Sequence, residues 1–212
     1  IKKILHKYRF FKPRMVVGVP TCITQVEKKA VIDARIAKAT EERGITILLR
    51  GNGKGKSSSA FGTMMRTLGH GKKAAVVQFV KGRIETGEYK FFKDYPGLDW
   101  HVMGHGFTWE TKDKANDIAA AEQAWDITQG LLQDPSIDML VLDEMAYVFK
   151  YNYLPLEPVL EALANRPHHQ TVIITGRVMP EALVEYADTI STVKDDGHAF
   201  RKGVKAQAGI EF

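Results

Sequence analysis

The chain has 212 residues, of which 44% are hydrophobic and 26% are charged, and this composition predicts one soluble globular domain with a full hydrophobic core. Its single cysteine, Cys22, excludes an intramolecular disulfide, and the sequence offers no Cys/His cluster for structural zinc. No apolar run is long enough to span a bilayer. We therefore expect a cytoplasmic protein without a membrane segment.

The net charge of +5 originates at the N-terminal end. Of the 30 Lys and Arg residues, six lie within residues 1–22, which contain no acid, so the rest of the chain has 24 basic against 25 acidic residues, a net charge of −1. A basic tail can contact nucleic acid or anionic lipid, or act as a targeting segment. Because the remaining body is not basic, we expect neither a nucleic-acid nor a membrane partner. Residues 1–23 are interpreted as a poorly ordered extension of a domain at 24–212.

In chain order, the apolar patterns alternate between helix and strand. Thr24 and Glu27 form a capping box at the start of a helix that would end at Gly44. Short aliphatic runs predict strands at 45–49, 74–80, 98–103, 137–144, 171–176 and 188–193. Helices are expected from the residues after 55 to Gly69 and at 113–132, 156–164 and 180–187, with a mobile loop at 81–89. Strands buried on both faces and separated by helices predict a parallel sheet with right-handed crossovers.

The segment LLRGNGKGKSSSAFG, residues 48–62, predicts a phosphate-binding loop between a strand and a helix. Lys56 supplies positive charge, Ser57 a hydroxyl for a metal ion, and the helix N-terminus its dipole. The common pattern G-x-x-x-x-G-K-[ST] would start at position 50, which is Arg50 here. The alternative is a surface turn with an accidental G-K-S. Three glycines permit close backbone approach to phosphate: Gly51, Gly53 and Gly55.

Acidic and basic residues follow two later strands. Asp143 and Glu144 end the run MLVLDE, and ligands of open α/β sheets bind at the carboxyl ends of strands. An acid there can hold Mg²⁺ directly or through water, or it can cap a helix. Arg177 ends the run TVIITGR and could contact phosphate or form a surface ion pair. These residues predict binding of a nucleoside triphosphate without choosing the reaction.

Two aromatic residues lie in the segment GHGFTWET. Phe107 and Trp109 alternate with Thr108, so both rings point the same way if the segment is extended. The loop either folds back onto the core or offers a platform for a large, flat, apolar ligand. The residues alone leave both interpretations open.

The motifs GNGKGKSS, GHGKK, VVQFVKG, GFTWET, VLDEMAY, YLPLEPV, HQTVIITGR and GVKAQAGIEF together resemble the P-loop corrinoid adenosyltransferases, also called cob(I)alamin adenosyltransferases. The resemblance runs from about residue 31 to residue 212. It implies an α/β, three-layer P-loop NTPase (RecA-like) fold with a mostly parallel central sheet and an N-terminal helix. It also implies transfer of the 5′-deoxyadenosyl group of ATP to the cobalt of a reduced corrinoid, with release of triphosphate.

The resemblance implies roles for individual residues. Lys56 would neutralise the leaving group, Ser57 and Glu144 would ligate Mg²⁺ or Mn²⁺, and Phe107 and Trp109 would press on the corrinoid and exclude its lower axial ligand. These rings and Lys56 are the predicted catalytic residues. The predicted ATP-binding residues are Gly51, Asn52, Gly53, Lys54, Gly55, Lys56, Ser57, Ser58 and Arg177.

The resemblance also implies an assembly and an electron donor. The N-terminal helix, residues 24–43, would cover the active site in a homodimer, and a flavoprotein reductase would supply electrons. Arg50 and the pair Ser57–Ser58 depart from the small hydroxyl residue and the Thr–Thr pair expected of the family.

One competing hypothesis is a P-loop ATPase with Glu144 as the water-activating base. Another is a nucleic-acid-binding module that uses the basic tail.

Overall fold

The computed structural model describes residues 25–80, 85–103 and 114–212. The chain divides into two units, the first ending at Glu41 and the second comprising Glu42–Phe212. None of the helices in these ranges has the length and apolar character needed to cross a bilayer. The predicted boundary after residue 23 stays a prediction, since the residues around it lie outside the described ranges.

The first unit contains helix α1, Gln25–Lys38. An i,i+4 ion pair joins Lys29 and Asp33 at 3.6 Å. Thr24 of the expected capping box lies outside the described residues. The helix ends six residues before Gly44, so the prediction that Gly44 stops it was wrong. Large apolar side chains of α1 are exposed: Val26, Val31, Ile32 and Ile36.

The second unit is built on a six-stranded sheet in the order β3-β2-β4-β5-β1-β6, and every pairing in it is parallel. The α/β fold with a parallel central sheet is thus confirmed. Because all strands run the same way, their carboxyl ends share one edge of the sheet. The strands are β1 Thr46–Arg50, β2 Ala74–Gln78, β3 Leu98–Val102, β4 Met139–Asp143, β5 Thr171–Gly176 and β6 Thr189–Thr192.

Helices connect these strands and cover both faces of the sheet. Along β4, Leu140 and Leu142 belong to one core cluster with Trp125, whereas Val141 belongs to a second cluster with Phe61. Alternate residues of one strand therefore face opposite layers, which gives three layers. The helices are α2 Lys56–Gly69, α3 Gly87–Phe92, α4 Lys114–Gln133, α5 Ala146–Lys150, α6 Glu157–Ala164 and α7 Glu181–Tyr186, followed by a 3-10 turn at Ala199–Lys202.

Two local features differ from the sequence prediction. Residues 87–89, expected in a loop, begin α3, because the Thr86 hydroxyl accepts a hydrogen bond from the Tyr89 N–H at 3.3 Å and caps the helix. Gly44 serves close packing, since a Cβ there would lie 2.2 Å from the Gln170 carbonyl oxygen. Residues 81–84 of the expected loop lie outside the described ranges.

Candidate active site

The predicted phosphate loop connects β1 to α2 at the carboxyl edge of the sheet. Gly51 and Gly55 have φ values of 109° and 115°, a region that favours glycine. A Cβ on Gly51 would lie 2.4 Å from the Val193 oxygen, and one on Gly53 would lie 2.3 Å from the Lys194 oxygen. The glycines are therefore required by the close approach of the segment after β6.

Backbone hydrogen bonds hold this loop against neighbouring strand ends. The Gly51 N–H donates to the Arg177 carbonyl at 3.1 Å, and the Gly53 N–H donates to the Val193 carbonyl at 2.9 Å. The loop is thus joined to the segments after β5 and β6. These contacts fix its position relative to the residues that follow β5.

Lys56 follows the glycines of the phosphate loop, and its side chain turns back into that loop. Its side chain is buried, and its Nζ donates to the Gly53 carbonyl at 2.8 Å. Burial lowers the pKa of the Lys56 ammonium, while the negative charge of Glu144 opposes that shift. Ser57 follows in the first turn of α2 and is half-buried. An ammonium and a hydroxyl therefore stand at the helix N-terminus, as a phosphate site requires.

The two acids after β4 have different environments. Asp143 is buried, and its Oδ1 accepts from the Thr175 hydroxyl at 2.8 Å while its Oδ2 accepts from Gln78 Nε2 at 3.1 Å. Glu144 has a φ of 56°, and its Oε2 is buried with no hydrogen-bond partner among the described residues. Burial, followed by the charge of Asp143, raises the pKa of Glu144 to about 7, against the opposing charges of Lys56 and Arg177.

These environments distinguish the two acids as metal ligands. Both oxygens of Asp143 are engaged within the sheet, whereas an oxygen of Glu144 is buried and unpaired near the charges of the loop. The described residues contain no group of three or more His, Cys, Asp or Glu that could hold a metal ion by itself. Mg²⁺ usually binds through one or two carboxylates together with substrate phosphates and water. Glu144, Ser57 and a bound triphosphate fit that donor set.

Arg177 lines a cavity beside the loop. The cavity has a volume of ≈ 180 Å³, and Asn52, Tyr147 and Lys150 also line it. It opens beside the start of the phosphate loop and the first turn of α5. Asn52 and Arg177, both predicted to bind ATP, therefore share one recess, and sequence reasoning missed Tyr147 and Lys150.

Two other cations near the loop are paired within the protein. Arg50 Nε donates to the Thr192 hydroxyl at 3.4 Å, across the β1–β6 pair. Lys54 Nζ lies 3.7 Å from Glu211 Oε1 in the C-terminal segment. Ser58 is exposed on α2. Phe107 and Trp109 lie outside the described residues, so their predicted corrinoid role stays a prediction.

The chain is similar to named relatives over most of its length. Residues 42–212 match the family described as ATP:corrinoid adenosyltransferase BtuR/CobO/CobP. A corrinoid adenosyltransferase of Pseudomonas aeruginosa is 50% identical over 186 residues, covering 87% of this chain and 92% of the relative. One from Escherichia coli K12 is 49% identical over 188 residues, covering 89% and 95%. Corrinoid adenosyltransferase CobA of Salmonella typhimurium is 50% identical over the same shares. The chain belongs to the ATP:corrinoid adenosyltransferase BtuR/CobO/CobP family.

Proposed function

We propose that this chain transfers the 5′-deoxyadenosyl group of ATP to the cobalt of a reduced corrinoid, of the cob(I)alamin or cobinamide type, in the synthesis or salvage of adenosylcobalamin. The observation that carries the proposal is a glycine loop ending in Lys56, whose Nζ donates to the Gly53 carbonyl and whose pKa is lowered by burial against the opposing negative charge of Glu144, inside the residues that match the family. The relatives are named corrinoid adenosyltransferases.

The bond changes define what the protein must stabilise. The cobalt(I) electron pair forms a bond to the ribose C5′ carbon, the C5′–O bond breaks, and its electron pair leaves with triphosphate. The substrate supplies the nucleophile, so no side chain need become covalently attached. Negative charge develops on the leaving oxygen, and preorganised positive groups there lower the barrier.

Lys56 and the N-terminus of α2 supply that positive charge. In this structure the Lys56 ammonium already points into the loop, where it donates to the Gly53 carbonyl at 2.8 Å. Triphosphate oxygens would replace this carbonyl as its acceptor. Gly51 to Ser58 would surround the triphosphate, and Arg177 would contact it from the end of β5.

A divalent ion, Mg²⁺ or Mn²⁺, completes the proposed site. When bound, it would supply further positive charge to the phosphate oxygens. Ser57 and Glu144 would hold it, since Glu144 has a buried carboxylate oxygen without a described partner.

The remaining proposals concern the corrinoid, the assembly and the electron source. Phe107 and Trp109 would press on the corrinoid and exclude its lower axial ligand. The chain would act as a homodimer in which α1 covers the active site. A flavoprotein reductase would deliver the electron that makes cobalt(I), and the reaction would take place in the cytoplasm.

ATP hydrolysis is the second candidate function. A carboxylate with a pKa of about 7 is suited to activating water as a general base, and Glu144 has that property. Membership of the adenosyltransferase family favours transfer over hydrolysis. The two reactions give different products from ATP.

Product analysis separates the two functions. The protein is incubated under anaerobic conditions with ATP, Mg²⁺ and chemically reduced cobalamin. We expect a light-sensitive adenosylated corrinoid and inorganic triphosphate in equal amounts, and no reaction when the corrinoid is omitted. Release of ADP and phosphate at the same rate with or without corrinoid would reject transfer and support the ATPase.

A further inference from the structure

A single hydroxyl connects the two acidic residues at the end of β4. Thr175 is fully buried at the end of β5. Its hydroxyl donates to Asp143 Oδ1 at 2.8 Å and accepts from the Glu144 backbone N–H at 2.9 Å. A threonine hydroxyl has one proton and two lone pairs, so one group makes both bonds at once.

The orientation of the Thr175 hydroxyl is set by the residues that bind the second oxygen of Asp143. Gln78 Nε2 donates to the second oxygen of Asp143 at 3.1 Å, and Trp100 Nε1 donates to Gln78 Oε1 at 3.0 Å. Since the indole can only donate, the amide of Gln78 has to present its NH₂ to Asp143. The carboxylate of Asp143 is thereby held as an acceptor for the Thr175 proton.

The oxygen of the Thr175 hydroxyl accepts a hydrogen bond from a residue with a strained backbone conformation. Glu144 has a φ of 56°, in the left-handed region that residues other than glycine seldom occupy. Such a conformation persists only where its surroundings hold it. The hydrogen bond from the Glu144 N–H to Thr175 contributes to holding it, and it thereby restrains the direction in which the Glu144 side chain leaves the backbone.

We infer that Thr175 is a positioning residue for Glu144, and that its hydroxyl directs the Glu144 carboxylate toward a metal ion on the triphosphate. This inference rests on the metal role of Glu144 proposed above. Asp143 accepts the hydrogen bond of the Thr175 hydroxyl and so sets its orientation, and Asp143 is not itself a metal ligand. Partners that orient a metal ligand commonly contribute 10- to 100-fold in metal affinity.

Three variants isolate the hydroxyl. Thr175→Val removes it and keeps the branched shape, and Thr175→Ser restores it without the methyl group. Thr171→Val is the matched control, because Thr171 starts the same strand and its hydroxyl accepts from the Ile45 N–H at 3.3 Å, about 13 Å along the strand from Thr175. Glu144→Gln is measured beside them.

The readout is Mn²⁺ binding to the protein–ATP complex without corrinoid, followed by the electron paramagnetic resonance signal of free Mn²⁺. Binding to ATP alone is measured in parallel. We expect Thr175→Val to weaken Mn²⁺ binding by the complex at least about 10-fold, Thr175→Ser to stay within about threefold of wild type, and Thr171→Val to lower Tm without changing the metal affinity.

The outcomes that overturn the inference are distinct. Wild-type Mn²⁺ affinity in folded Thr175→Val, with weakened affinity in Glu144→Gln, overturns the positioning role alone. Wild-type affinity in Glu144→Gln overturns the metal assignment and the inference with it, whereas adenosyl transfer by the wild-type protein is judged separately from its products. If Thr175→Val does not fold, Thr175→Ala removes the same hydroxyl and is judged by the same criterion.

Discussion

The role of a single residue in the site depends on its neighbours more than on its residue type. Asp143 and Glu144 are adjacent carboxylates, yet both oxygens of Asp143 accept hydrogen bonds inside the sheet while an oxygen of Glu144 is buried without a described partner. Lys54 and Lys56 are two residues apart, yet one pairs with Glu211 and the other turns into the loop. Substitutions at such neighbours should therefore have unequal effects.

Lys56→Ala is expected to lower kcat by roughly 10²–10³, the range for removing one preorganised group that stabilises developing charge. The measurement is the rate of adenosylated product formation from chemically reduced cobalamin at saturating ATP. Lys72→Ala is the control, since Lys72 pairs with Asp138 before the start of β4, at the opposite edge of the sheet. A near-normal rate in Lys56→Ala would remove its assigned role.

The half-buried carboxyl of Glu144 should make stability depend on pH. Its pKa rises from 4.5 to about 7 in the fold, so the folded protein binds this proton more tightly than the unfolded chain does, and stability is lost as pH rises from 4.5 to 7. Without metal and nucleotide, Glu144→Gln should therefore match wild type near pH 4.5 and exceed it by about 2–3 kcal/mol at pH 8.

Urea unfolding in the presence of a chelator, at several pH values between 4.5 and 8, measures this difference. Glu122→Gln, at an exposed position of α4, controls for loss of a negative charge. Parallel stability curves for wild type and Glu144→Gln would show that the carboxyl is not buried in solution.

The proposed role of Phe107 and Trp109 is tested by the ratio of the adenosylation rate from cobalt(II) to the rate from pre-reduced cobalt(I). If they exclude the lower axial ligand, Ala at either position should strongly slow adenosylation that starts from cobalt(II), because reduction becomes harder. Adenosylation from pre-reduced cobalt(I) should fall much less, since that species already lacks the ligand. If the rings only fill the core, both rates should fall together and stability should drop by roughly 3–5 kcal/mol. An unchanged ratio in folded variants would withdraw the proposed role.

Helices and strands differ in how much of them the sequence predicts. Strand β5 has the predicted limits, because its aliphatic run ends where Gly176 packs against α5. Helices α3 and α5 have six and five residues, too short for an amphipathic repeat to be visible. The end of α1 differs from the prediction because Gly44 does not stop this helix but packs closely against Gln170, a contact that forms only in the folded sheet.

The same reasoning explains which parts of the site could be predicted. Lys56, Ser57 and Glu144 belong to local motifs, so their neighbours in sequence identify them. Gln78 ends an aliphatic strand, and its function depends on the register that places it opposite Asp143, 65 residues later. No local pattern contains that register, since tertiary packing sets it.

The junction of β5 and α5 should be sensitive to one methyl group. A Cβ on Gly176 would lie 2.1 Å from the Ala146 Cβ, so Gly176→Ala has to push α5 away from the strand. We expect a loss of about 1–3 kcal/mol in stability, as for other overpacked sites. Because α5 follows Glu144 directly, Mn²⁺ binding with ATP should weaken as well.

Gly130→Ala is the matched control for that substitution. Gly130 is exposed within α4, and a Cβ there meets no atom within 4 Å. Alanine should therefore stabilise the helix by about 0.5–1 kcal/mol. Thermal unfolding of both variants checks the pair, and equal Tm values for Gly176→Ala and wild type would contradict the packing argument.

On the scale of the whole molecule, two independent boundaries coincide. The family match begins at residue 42, and the second structural unit begins at Glu42. Helix α1 lies outside both, and four of its large apolar side chains are at least half exposed. The exposed apolar side chains of α1 agree with the proposed homodimer, in which this helix packs on a second copy.

Two truncations test this arrangement. Removing residues 1–22 should leave a dimer with adenosyl transfer within a few-fold of wild type, because α1 remains. Removing residues 1–41 should give a monomer that still binds ATP, since the phosphate loop lies in Glu42–Phe212, but that has lost most of its transfer activity. Size-exclusion chromatography with light scattering, ATP titration and the product assay distinguish these states. If the protein lacking residues 1–41 is dimeric and active, α1 has no role in assembly. If the protein lacking only residues 1–22 is folded but inactive, the basic tail has a function.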